Sequence, residues 1–188
     1  MKRARANSSD LTGGTGDVNP QYLSDNAAQS AADTTTSTQV SLPIQRIAAN
    51  APQQAVVMEV LRVFAQFPPM SVLAAVGETT DRMALSFSTR NFDTTANSIG
   101  DPSVFAFMRT FRTGAFTAGG TYGYQESAMH TWECTDGAGH GILIATDSIF
   151  VQVQSTTTGN TNTIPWKILY RWKRVSLAEY IGIVQSQQ

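Results

Sequence analysis

Residues 164–175 read Ile-Pro-Trp-Lys-Ile-Leu-Tyr-Arg-Trp-Lys-Arg-Val, "IPWKILYRWKRV". In an extended chain, successive side chains point to opposite faces. Ile164, Trp166, Ile168, Tyr170 and Trp172 then share one face, and Lys167, Leu169, Arg171 and Lys173 share the other. One face suits an aromatic core, while the other carries a line of three cations. No helical period sorts these residues so cleanly, so the stretch is a strand with one side buried.

The same pattern recurs outward from this strand. "QQAVVMEVLRVFAQF" (53–67) is β-branched and apolar and stops at Pro68-Pro69. It could pass for a helix by periodicity, but its valines and the double proline favour a strand. "RMALSFSTRNF" (82–92) alternates Met83, Leu85 and Phe87 against Ala84, Ser86 and Ser88. "SVFAFMRTFRTGAF" (103–116) follows Asp101-Pro102, and "TYGYQESAMHTWEC" (121–134) runs to Asp136-Gly137. "GILIA" and "SIFVQVQS" flank a turn at Thr146-Asp147, and "TTTGNTNT" (156–163) reads as a Gly-Asn hairpin loop. With "VSLPIQRI" (40–47) and the closing "AEYIGIVQS" (178–186), eight or nine strands emerge and no convincing long helix. The last stretch has no charge after Glu179 and is expected to be a strand covered on both faces. The expected fold class is all-β: a single jelly-roll β-sandwich of eight strands.

Residues 1–38 contrast with this. They hold Leu11, Val18, Tyr22, Leu23 and few other large apolar side chains amid Ser, Thr, Asn, Ala, Gly and Asp. Such a segment buries too little to offset the entropy of ordering, so it is expected to be a flexible arm, with the folded domain at 39–188. Lys2, Arg3 and Arg5 crowd its tip, and Asp10, Asp17, Asp25 and Asp33 follow.

The whole chain of 188 residues has a formal net charge of −1, and only 14% of it is charged. A typical soluble protein carries about a quarter. Hydroxyls and amides take the place of ions, and neutral polar groups cost less to bury. That suits a surface covered by other copies of the same chain. No apolar run approaches the roughly 18 residues of a membrane span. "MKRARANSSD" has no apolar segment behind its basic start, unlike a secretory signal.

Catalytic and metal chemistry find little support. Cys134 is the only cysteine, which excludes an intrachain disulfide, and it reads as a small buried hydrophobe. His130, Glu133, Cys134 and His140 fit no zinc spacing. Two histidines are few for a cupin-type metalloenzyme. Glu59 reads as an outward-facing or interface carboxylate. "GAGHG" (137–141) leads into a strand, whereas phosphate cradles lead into a helix. Asp101, Asp136 and Asp147 read as turn formers. No enzyme and no cofactor are expected. The cation line of Lys167, Arg171 and Lys173 would suit a phosphate backbone without regard to base sequence. The competing reading is a solvated face balanced by acids on the neighbouring strand. Arg109 and Arg112 have opposite parity and form no second line.

From Asp136 to the terminus, and more weakly over "QAVVMEVLRVF", the chain resembles capsid proteins of small circular Rep-encoding single-stranded DNA viruses, a circovirus-like group. The resemblance implies a jelly-roll subunit that self-assembles into a small icosahedral shell around circular single-stranded DNA. It implies a virion protein that passes through the host nucleus, with a host receptor as partner. Relatives carry a long Arg-rich arm, of which "KRAR" is a short remnant here. Nucleic-acid contacts would then fall to Lys2, Arg3 and Arg5 together with Lys167, Arg171 and Lys173. A trimeric jelly-roll binding module, lectin-like or receptor-binding, would share the low charge and the hydroxyl-rich loops 76–82, 91–102, 117–127 and 155–163.

Overall fold

In the computed structural model the described residues are 19–42, 47–48, 51–69, 77–92, 98–116, 129–158 and 160–187, with backbone alone at 47–48, 51–52, 77–81 and 112–116. The stretch at 164–175 falls in β10 (Thr163–Ser176), which lies inside a sheet. It pairs antiparallel with β1 (Gln21–Ala28) on one side and β4 (Ala51–Gln66) on the other. β4 in turn pairs with β3 (Ile47–Ala48), β7 (Met129–Glu133) and β8 (Ile142–Ile144). A second antiparallel sheet has the order β2 (Thr35–Ser41), β9 (Ser148–Thr156), β5 (Gly77–Ser88), β6 (Val104–Phe116).

The chain passes back and forth between the sheets: β1 in the first, β2 in the second, β4 back in the first, β5 and β6 in the second. β7 and β8 then return to the first, β9 to the second and β10 to the first. This interleaving is a jelly roll. The Gly-Asn loop expected as a hairpin is therefore a crossover, because β9 and β10 belong to different sheets.

Period-two alternation builds the core. Met83, Leu85 and Phe87 of β5 and Ile149, Val151 and Val153 of β9 meet Ile164, Trp166, Ile168 and Tyr170 of β10. The edge of Phe87 rests on Trp166, ring centres 5.4 Å apart at 81°. On β4 the inward set runs Met58, Val60, then Val63 and Ala65. The shift of one comes from a bulge. Tyr170 faces Val60 and Leu169 faces Arg62, so Leu61 has no opposite residue. That extra residue also blurs the period, which is why the stretch resembles a helix on paper.

Three further expectations are corrected. Residues 21–28 and 35–38 of the expected arm form β1 and most of β2. Both strands lie at sheet edges, where the ladder to a neighbour supplies what their polar side chains lack. A buried polar network secures the turn between them. Gln29 Nε2 donates to Ser155 Oγ at 2.8 Å, and Asn162 donates from both N and Nδ2 to Gln29 Oε1 at 3.0 Å. Second, the loop expected at 76–82 belongs from Gly77 onward to β5.

Third, the C-terminal stretch is a helix, α1 (Leu177–Ser186). Its cause is local. Ser176 adopts an extended backbone and its hydroxyl accepts the Glu179 N–H at 3.2 Å, the capping arrangement that a Ser-x-x-Glu sequence favours. Tyr180, Ile183 and Val184 pack on Ala55, Val57, Ala145 and Val175, on the side of the first sheet away from the core. Gln187 then clamps the end: Ala145 N donates to its Oε1 at 3.1 Å, and its Nε2 donates to the Leu143 carbonyl. The expectation of a covered terminus holds, but as a helix covered on one face.

Candidate nucleic-acid interface

β10 lies between β1 and β4, so its outward side chains sit in the middle of the first sheet's outer face. The face is as expected: Lys167 is exposed, and Leu169, Arg171 and Lys173 are half-buried, opposite the core residues. What the register adds is Glu59, directly across from Arg171. Arg171 Nε is hydrogen-bonded to Glu59 Oε2, and Lys173 Nζ lies 3.4 Å from Oε1. Glu59 lies on the outer face of the sheet, pointing away from the core residues Met58 and Val60, but it is fully buried there rather than exposed. Burial pushes its carboxyl up. The Arg171 hydrogen bond, the Gly141 N–H and the charges of Lys173 and Arg171 outweigh that and hold it below the ordinary carboxylate range.

The loop at 137–141 roofs this triad. Gly141 N donates to Glu59 Oε1 at 3.0 Å, and Arg171 Nη2 donates to the Gly139 carbonyl at 3.1 Å. Gly141 has to be glycine, since a Cβ there would lie 2.2 Å from the Val60 carbonyl oxygen. One carboxylate among two cations leaves a single net positive charge. Two members of the cation line are thus committed to a buried acid, as the competing reading of the sequence had it.

Lys167 differs. Its Nζ lies 5.1 Å from the centre of the Tyr22 ring, and no carboxylate among the described residues pairs with it. Lys2, Arg3 and Arg5 lie outside the described residues, so the structure brings only Lys167, Arg171 and Lys173 together. Arg109 is exposed on β6 in the other sheet; the Arg112 side chain lies outside the described residues.

The remaining polar candidates have structural partners. The His130 ring stands edge-on to Phe67, centres 4.9 Å apart. Glu133 pairs with Arg62 at 2.6 Å. His140 Nδ1 and Asp136 Oδ2 are 2.9 Å apart, and the bonds from the His140 side chain and backbone bring the Asp136 carboxyl down to about 2. Burial, reinforced by the charge of Glu133, pushes the Cys134 thiol up to about 12, so it stays protonated and inert. Asp101 accepts from Ser103 N and Oγ, and Asp136 accepts from Ala138 N and His140 N. Both are turn formers, as expected.

Sequence reasoning missed Tyr22 and Phe64. Tyr22 was placed in the arm, and the bulge at Leu61 turns Phe64 to the outer face, against a straight count from Met58. Both stand at a groove of about 420 Å³ with Gln66, Met129, Pro165 and Lys167.

No protein-family model and no curated protein matches the chain by sequence. Solved structures do match by shape. VP1 of Trichodysplasia spinulosa-associated polyomavirus, in complex with sialylated precision glycooligomers, is 10% identical. The match covers 86% of this chain and 97% of that one, with a TM-score of 0.52. A chain of the Merkel cell polyomavirus virus-like particle is 9% identical over 94% of this chain and 80% of that one, with a TM-score of 0.50. Identity so low speaks to fold alone: this chain has a jelly roll of the kind found in viral capsid proteins.

Proposed function

We propose that the chain is a capsid subunit that assembles into a small icosahedral shell enclosing circular single-stranded DNA, the role implied by its sequence resemblance. The observation that carries this reading is the interleaved two-sheet topology, a likeness shared with a chain that forms a virus-like particle. The chain's low share of charged residues, 14%, supports it, because neutral polar groups are more readily covered by copies of the same chain. The subunit needs no catalytic machinery and no cofactor for this role. Of the nucleic-acid contacts expected from the sequence, Lys2, Arg3 and Arg5 at the chain's start and Lys167 on the sheet are kept in this reading, whereas Arg171 and Lys173 are engaged by Glu59. Its place is the virion, with the host nucleus as the site of assembly.

Light scattering and electron microscopy of the purified chain test this reading. Closed particles in the megadalton range are expected. A trimer of 20.3 kDa subunits would support instead a receptor-binding head, a role for which the glycan complex of the polyomavirus VP1 provides a parallel. A monomer that persists at high concentration would overturn both.

A further inference from the structure

We infer that single-stranded DNA is held at the Tyr22–Phe64–Lys167 groove, with a base stacked on the Tyr22 ring and a phosphate against Lys167, rather than along the Arg171–Lys173 line. The inference rests on the reading of the chain as a single-stranded DNA binder and assigns the place where binding occurs.

Four observations converge on the groove. Tyr22 is 61% exposed, so much of its ring is open to a ligand. The Lys167 ammonium stands off this ring at 5.1 Å, which places a charge beside a stacking surface. Phe64, half-buried, supplies a second ring; the Arg62 guanidinium 6.0 Å from its centre is already paired with Glu133 and adds no free charge. The groove of about 420 Å³ is comparable with clefts that take small ligands, about 300–1,000 Å³.

Aromatic faces interleaved with cations are the general means by which proteins hold single strands without sequence preference, since every base has a π-face. The pairing of a ring with a cation favours DNA over a second copy of the chain as occupant. A second copy would have to bring one of its exposed carboxylates, such as Asp25 or Glu179, onto Lys167 and also cover the Tyr22 ring, whereas a nucleotide carries a phosphate and a flat base together. A phosphate supplies the missing charge. Arg171 and Lys173 are poorer candidates, because a phosphate would have to compete with Glu59, which already accepts from both.

The test measures fluorescence anisotropy of a labelled oligothymidylate with the full chain held below its assembly concentration. Tyr22→Ala should weaken binding about tenfold, and Tyr22→Phe, which keeps the ring, should restore it. An abasic strand of equal length should bind as weakly to the wild type as thymidylate does to Tyr22→Ala. Lys167→Gln should lower the slope of log affinity against log salt by about 0.7, the share of one phosphate contact on a single strand. Arg109→Gln, on the other sheet, should change neither quantity. Unchanged affinity in Tyr22→Ala, or equal affinity for the abasic strand, would overturn the inference. So would a Tyr22→Ala variant that binds DNA normally but no longer assembles, for the groove would then be a contact between copies. Particle formation is scored separately, so shells without groove-dependent binding would sink the inference and leave the capsid reading standing.

Discussion

The outer face of the first sheet has two halves built on the same strands and treated in opposite ways. Over the half nearest the end of β10, α1 lies on Ala55, Val57, Ala145 and Val175 and completes a second, smaller core. Over the other half Tyr22, Met129 and Lys167 are exposed and Phe64 is only half-buried. Between them stands the Glu59–Arg171–Lys173 triad, a polar seam roofed by the 137–141 loop. The difference shows that a strand's outward face has no fixed character. A helix that is itself without a fully buried residue is enough to turn part of it into interior.

Four substitutions would break or sharpen this contrast: the first is set against its control on the bare half, and the others follow in order of decreasing expected effect. Val57→Asp places an unpaired carboxylate beneath α1 and should destabilise the fold by more than about 4 kcal/mol, leaving little folded protein. Tyr22→Asp, on the same outer face in the bare half, should shift stability by less than about 0.5 kcal/mol, because the side chain is exposed. Equal effects in thermal unfolding would show the two halves to be alike.

Glu59→Gln should cost about 3 kcal/mol in urea unfolding, because it strands two cations beside a neutral amide. Its pH dependence has a definite sign. The folded-state carboxyl sits below its ordinary value, so its contribution is present above the ordinary carboxylate range and is lost as pH falls through the folded value. The wild type should therefore lose stability on acidification more steeply than Glu59→Gln. Parallel curves would mean that the triad contributes nothing specific. Asp136, whose carboxyl lies at about 2, changes in the same direction in both proteins and so cancels from the comparison.

Ser176→Ala removes the cap of α1 and should cost about 1 kcal/mol, with hydrogen exchange at the α1 amides rising before that of β4. Uniform exchange would show that helix and sheet open as one unit.

How much was legible varied with how local the cause was. The inward faces of β5, β9 and β10 could be read directly, since alternation needs only neighbours in sequence. α1 was legible in principle, because Ser176 and Glu179 carry a capping signal, although the uncharged, β-branched run behind them has the composition of a strand. β1 and β2 were hidden by composition. Polar sequences look unstructured until a partner strand appears, and Gln21 finds that partner at Tyr170. Among the site residues, the face of Lys167, Arg171 and Lys173 was plain, but its electrostatics were not. Glu59 meets Arg171 only because the bulge at Leu61 sets the register.

The order of amino acids by itself determined that this is an all-β sandwich and which residues of its long strands face the core, because the two-residue period is a property of each strand alone. Only the tertiary structure decided that Thr- and Ser-rich residues complete the sheets, that two of three cations are bound to a buried acid, and that Lys167 is left beside an exposed ring. Those outcomes depend on contacts between residues more than a hundred positions apart, such as Gln29 with Ser155 and Glu59 with Arg171, and no local pattern encodes them.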